Sequence, residues 1–106
     1  MMRVIHFFNI KEDADKEQVL HFFTTVMKDH TMTRGCVERR TLKLLDAHEE
    51  GEAVSAPQYI NESWWPDLET SMAAFSQDQQ TPEFSEAAKK TFEQIEMVRT
   101  VRYEEF

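Results

Sequence analysis

Tyr59-Ile60-Asn61-Glu62-Ser63-Trp64-Trp65, followed at once by Pro66-Asp67, has the pattern of a buried strand that runs into a helix. β-formers dominate it, and successive side chains of a strand point to opposite faces. Tyr59, Asn61, Ser63 and Trp65 then share one face, and Ile60, Glu62 and Trp64 the other. Large aromatic groups on both faces belong to a strand covered on both sides, in the middle of a sheet. Pro66 ends the strand and Asp67 caps the helix that follows. Arg3 to Ile10 reads the same way, with Val4, Ile5, Phe7, Phe8 and Ile10 on both alternate faces.

Between these two strands the pattern changes. Asp15 and Gln18 form a capping-box pair that opens a helix. Val19, Phe22, Phe23, Val26 and His30 make its apolar stripe, and it should stop near His30, before Thr31, Thr33 and Gly35. Cys36 to Leu45 reads as a second strand; Glu38, Arg39, Arg40 and Lys43 give it the charges of a sheet edge. Asp46 to Gln58 is an acidic stretch, expected as a mobile loop too long for a tight hairpin. Beyond Asp67, Leu68, Met72 and Phe75 form a buried stripe. Thr81-Pro82-Glu83 restarts a helix that Phe84, Ala88, Phe92 and Ile95 continue. Met97 to Phe106 is the last strand, mixed enough in polarity for an edge.

The order is strand, helix, strand, strand, helix pair, strand. It predicts a ferredoxin-like βαββαβ domain over residues 1–106, its second helix split in two, with an antiparallel four-stranded sheet and helices on one face. Right-handed crossovers put the first and third strands in the middle, where their composition also puts them. The second sheet face stays apolar, and a two-fold copy of the chain is its expected cover.

The totals bound the partners. At 106 residues and a formal charge of −8, the chain is one acidic domain, a poor match for nucleic acid or an anionic membrane. Cys36 is the sole cysteine, and Met1 to Phe8 lacks the apolar core of a signal peptide, so a cytoplasmic protein is expected.

Four stretches carry a family likeness: Gly35-Cys36-Val37-Glu38, Asn61-Glu62-Ser63-Trp64, Pro66-Asp67-Leu68-Glu69-Thr70 and Thr81-Pro82-Glu83-Phe84. In order and spacing they resemble the antibiotic-biosynthesis monooxygenase (ABM) family of dimeric α+β barrels. The wider barrel superfamily, including EthD-like and stress-responsive proteins, is similar. The likeness implies a cavity between sheet and helices, lined by Trp64. It departs at Glu83, where the family often has histidine, and at Ser85 to Lys90, where the haem-degrading branch supplies an axial histidine; haem binding is therefore not expected.

His6, among apolar neighbours in a central strand, reads as a general base or as a core histidine held by the backbone. Glu62 reads as a base with raised pKa or as the partner of Arg39 or Arg102. Asn9, Asn61 and Tyr103 are candidate donors, and Trp64 a wall for a planar substrate. His30 suits a cationic cap at a helix C-terminus, while Cys36 reads as a buried thiol. His21 and His48 belong to the surface. No HxxxH, CxxC, GxSxG or GxGxxG pattern occurs, so no metal or nucleotide cofactor is expected. The expectation is a cofactor-independent monooxygenase acting on a small aromatic or polyketide-like molecule. A cyclase or isomerase would need nearly the same parts. The alternative is a non-catalytic dimeric module that binds a ligand or a protein.

Overall fold

The computed structural model describes all 106 residues. Strand β1 (Met2–Ile10) leads to helix α1 (Lys16–His21), which passes through a π turn at Phe22–Val26 into α2 (Met27–Met32). Strand β2 (Glu38–Lys43) follows, then the short strands β3 (His48–Glu49) and β4 (Glu52–Ala53). Strand β5 (Tyr59–Trp65), helices α3 (Leu68–Ala73) and α4 (Pro82–Phe92), and strand β6 (Ile95–Glu104) complete the chain. The main sheet has four strands in the order β2-β5-β1-β6, every pair antiparallel. The two strands expected at the centre are there.

Register fixes the two faces. Against β1, His6 lies opposite Asn61 on β5 and Thr100 on β6, and Val4 opposite Ser63 and Arg102. Arg39 on β2 lies opposite Ser63, and Thr41 opposite Asn61. These residues share the face toward the helices. A bulge between Phe7 and Phe8 pairs them with Arg99 and Met97, leaving Val98 as the extra residue and turning Met97 inward. The other face carries Arg3, Ile5, Phe7, Ile60, Glu62, Trp64, Arg40 and Tyr103.

Helix caps follow the sequence with one variation. The Asp15 carboxylate accepts from Gln18 N at 3.1 Å, Asp67 from Thr70 N at 2.7 Å, and the Thr81 hydroxyl from Phe84 N at 3.1 Å. Gln94, at the root of β6, completes the first cap: its Oε1 accepts from Asp15 N at 3.0 Å and its Nε2 donates to Gln18 Oε1 at 3.3 Å. A long-range residue thus takes the part expected of Gln18.

Three expectations need correction. The first helix does not keep one stripe: Val26 is 37% exposed and Met27 only 5%. The π turn inserts an extra residue, so the inward positions beyond it become Met27, His30 and Thr31. The Thr24 and Thr25 hydroxyls bond back to the carbonyls of Leu20 and His21, the bonding that loosens a helix there. The acidic loop contains a hairpin, β3 with β4, turned by Glu50 and Gly51, both at positive φ. In α3 the buried residue is Ser71, with Ala74 buried at its C-cap, whereas Leu68, Met72 and the following Phe75 are exposed; Met72 and Phe75 border an open cavity rather than packed core.

Two clusters form the interior. Phe8, Ile10, Val19, Phe22, Phe23, Met27, Tyr59, Phe84 and Ile95 fill one end, and Met2, Val4, Cys36, Trp65 and Ala74 the other. Phe8 stacks on Tyr59 with ring centres 5.4 Å apart and tilts against Phe23 at 5.1 Å. Gly35, at φ +102°, turns the chain from α2 into β2, and a Cβ there would come within 2.5 Å of Thr70 Cγ2. Both the backbone angle and the stiff threonine methyl exclude a side chain. Gly35→Ala should therefore destabilise by roughly 1–3 kcal/mol, read as a lower urea midpoint with an unchanged slope. An unshifted midpoint would contradict this turn geometry.

Candidate functional site

A cavity of about 400 Å³ lies between the sheet and the helices, within the size range of small-molecule sites. Its floor is the helix-side face of the sheet: Val4 and His6 from β1, Asn61, Ser63 and Trp65 from β5, Arg39 from β2, and Met97 and Arg102 from β6. Phe23, Met27, Ser71, Met72, Phe75 and Phe92 close it from the helices. It falls between the two packed clusters, where α3 leaves the sheet uncovered.

His6 lies in the floor with Nδ1 2.9 Å from the Thr100 hydroxyl. Burial and, secondarily, the Arg39 and Arg102 guanidinium groups push its pKa down to about 4. The imidazole is neutral at physiological pH, with Nε2 not engaged by the protein. Asn61, 2% exposed, accepts from the Thr41 hydroxyl through Oδ1 at 2.6 Å. That bond orients the amide and leaves its NH₂ free to donate. The Trp65 indole donates to Ser63 Oγ at 2.9 Å, fixing the ring as a wall of the cavity.

The remaining candidates lie elsewhere. Trp64 does not line the cavity; Trp65 does, because the parity of β5 sends Trp64 to the opposite face. Glu62 is on that opposite face too, bound to Arg3 at 2.7 Å and not to Arg39 or Arg102. It cannot act beside His6 through the thickness of the sheet. Tyr103 is exposed on the same outer face, opposite Arg3. Asn9 Oδ1 accepts from Gln58 N at 2.7 Å, tying down the end of the acidic loop. Of the six candidates, the fold brings together only His6 and Asn61.

His30 is a core residue, not a charged cap. It is 4% exposed, stacks on Phe84 at 3.9 Å, and donates through Nε2 to the Ala74 carbonyl at 2.7 Å. Burial is the main cause of its lowered pKa, so it holds α2 to the end of α3 as a neutral imidazole. Cys36 is buried and donates to the Glu38 carbonyl at 3.2 Å; burial pushes its thiol pKa up. No group of three or more His, Cys, Asp or Glu residues stands close enough to hold a metal ion. No helix is long and apolar enough to cross a membrane.

Arg39 was read from the sequence only as an edge-strand charge or a partner for Glu62. It is 4% exposed and lines the cavity. Its partner across the sheet, Ser63, was readable as a member of the Asn61–Trp65 face; once β2 pairs with β5, parity puts Arg39 there as well.

An antiparallel four-stranded sheet with helices over one face and a cavity between them is a ferredoxin-like α+β architecture. Comparison with solved structures agrees. HapK from Hahella chejuensis superposes with a TM-score of 0.72 at 13% identity, over 100% of this chain and 93% of its own. SnoaB, a cofactor-independent oxygenase from Streptomyces nogalater, gives 0.71 at 13%, over 99% and 92%. A hydroxynitrile lyase from Passiflora edulis gives 0.69 at 17%, over 96% and 90%. No family model and no curated protein matches the sequence. The chain therefore shares the fold of these proteins, a likeness recorded in structure rather than in sequence identity.

The histidine gives a direct test. Below pH 6.5, the ordinary histidine value, the unfolded chain takes up a proton at His6 that the folded chain refuses down to about pH 4. The charged groups facing the ring are Arg102 on the neighbouring β6 and Arg39 on β2, one strand beyond β5; both are positive, which sharpens the penalty. Stability contributed by neutral His6 is intact above pH 6.5 and falls as pH drops toward 4. Relative to His6→Gln, the wild type should lose about 3 kcal/mol over that interval, measured by denaturant unfolding. Parallel curves for the two proteins would contradict the buried neutral imidazole.

Proposed function

We propose that the chain is a cofactor-independent enzyme whose substrate is a small aromatic or polyketide-like molecule bound in the cavity. The observation that carries this reading is the pairing of a neutral, unengaged imidazole nitrogen on His6 with the free amide donor of Asn61, opposite each other on β1 and β5. Trp65, Met72 and Phe75 supply an apolar bed for a planar ring.

In the monooxygenase reading, His6 Nε2 removes a proton from an acidic C–H of the substrate, and the Asn61 amide donates to the enolate oxygen that forms. Molecular oxygen takes the electron pair of the carbanion to form a C–O bond. The hydroperoxide then loses water, so that one oxygen atom ends as a product carbonyl and the other as water. Both hydrogens of the substrate CH₂ leave with that water, and no external reductant is required. The fold shared with a cofactor-independent oxygenase supports this choice of chemistry; a cyclase or isomerase would use the same proton transfer without oxygen. Glu62 and Trp64 have no place in the step, and neither do Asn9 and Tyr103.

A second reading, a dimeric ligand-binding or protein-interaction module, draws support from one feature. No carboxylate lines the cavity to orient His6, whose Nδ1 meets only the Thr100 hydroxyl. Oxygen uptake with a hydroxyanthrone and with phenolic β-dicarbonyl compounds decides between them. His6→Gln and Asn61→Ala should each lower kcat/KM at least tenfold, equivalent to about 1.4 kcal/mol at the barrier. Uptake that both variants leave unchanged would overturn the enzymatic reading.

The quaternary reading is a homodimer. Phe7, Ile60, Trp64, Leu42 and Val101 form an apolar outer face on which Arg3 and Arg40 sit 5.3 Å from the Trp64 ring and Arg99 5.0 Å from Phe7. A face of that composition suits a second copy of itself. The lone buried thiol suits a reducing, cytoplasmic compartment. Sedimentation at low micromolar concentration should give a dimer, and Phe7→Glu should give a folded monomer. A folded wild-type monomer there would contradict the dimer.

A further inference from the structure

Arg39 is the one charged side chain in the molecule that is both deeply buried and without any partner. It is 4% exposed, its Nε has no hydrogen-bond acceptor, and no carboxylate forms an ion pair with it. The three ion pairs of the chain are Arg3–Glu62, Arg40–Glu38 and His48–Asp46. The ionisable groups that feel its charge are Cys36, whose thiol pKa burial pushes up, and His6, a neutral imidazole. Desolvation lowers the guanidinium pKa only to about 10, so the charge persists at neutral pH. A buried, unpaired charge is strongly unfavourable, and a fold of this size has little stability to spare for one.

The setting is polarised in one direction. The chain carries a net charge of −8, yet no Asp or Glu lines the cavity, and Arg39 and Arg102 do. Asn61 and Ser63 sit across β5 from β2, adding neutral polar groups beside the guanidinium. The helix side opposite is apolar, with Met72, Phe75 and Phe92. A guanidinium presents a planar fork of N–H donors that matches a carboxylate in two parallel bonds.

We propose that Arg39 is the anion-binding residue of the cavity and that the ligand is an aromatic carboxylate, its carboxylate on the Arg39 fork and its ring against the apolar wall that Met72, Phe75 and Phe92 form. This rests on the cavity being the functional site and goes beyond that reading by assigning the charge and class of the ligand. Arg102, exposed at the cavity edge, draws the anion in and contributes less than Arg39 once it is bound. The guanidinium's buried charge is then completed by the ligand.

The test compares 1-naphthoate with its neutral isostere 1-naphthamide by calorimetry on the whole protein. Wild type should bind the carboxylate at least tenfold more tightly. Arg39→Met, which keeps the length of the side chain and removes the charge, should abolish that preference while the amide binds within about twofold of its wild-type affinity. The same variant should melt no lower than wild type, since it removes an unpaired buried charge. Arg39→Lys should retain part of the preference. Equal binding of the two probes by wild type, or a preference that survives Arg39→Met, would overturn the assignment and leave the cavity reading standing. Failure of both probes to bind would overturn both.

Discussion

The antiparallel register of β1 against β5 is the constraint on which the rest of the molecule depends. Each strand is apolar on both faces, so neither can sit at an edge, and together they form the centre of the sheet. Setting His6 opposite Asn61 also sets Val4 opposite Ser63 and Met2 opposite Trp65. A slip of one residue would send every one of these to the other face. With β5 so shifted, the cavity floor would hold Glu62 and Trp64 in place of Asn61 and Trp65, adding a carboxylate where the cavity has none. Packing of Phe8 on Tyr59 and Phe23 locks the register at one end, and Trp65 with Cys36 and Ala74 locks it at the other. The space left between those two packed ends is the cavity, so the same contacts that stabilise the fold define where a ligand can enter.

The two faces have different electrostatic characters. On the outer face every arginine has company: Arg3 has Glu62 and the Trp64 ring, Arg40 has Glu38 and the same ring, and Arg99 lies over Phe7. Toward the helices, Arg39 has none. Burial, reinforced by the positive field of Arg39 and Arg102, keeps His6 unprotonated, and a neutral imidazole can accept a proton where an imidazolium cannot. Burial and charge therefore act together on His6, and both originate in neighbours fixed by strand pairing.

Much of this was legible in the chain. The two-sided apolarity of Val4 to Phe8 and Tyr59 to Trp65 marked the central strands, and Asp15, Asp67 and Thr81 marked the helix starts. The grouping of Asn61 with Ser63 and Trp65 was also legible, because strand parity is fixed. Which group met the helices was not: with Trp64 and Trp65 adjacent, aromatic bulk is equal on the two faces, and only tertiary packing breaks the tie. The family likeness points to Trp64, and with it Glu62, for the cavity, and the structure puts both on the opposite face. The π turn was hidden for a similar reason. Val26 and Met27 are both apolar, and either one completes a helical stripe. Arg39 was hidden by the rule that a charged strand is an edge strand. β2 is an edge, but an edge strand still has one face against the helices.

Parity on β5 puts Trp65 in the cavity and Trp64 on the opposite face. The two indole N–H resonances, assigned with a Trp64→Phe variant, separate these directly during titration with a planar aromatic probe such as 1-naphthol. The Trp65 signal should shift progressively while that of Trp64 stays in place. A shift of Trp64 with Trp65 unmoved would mean that the ligand-binding face of the sheet is the other one.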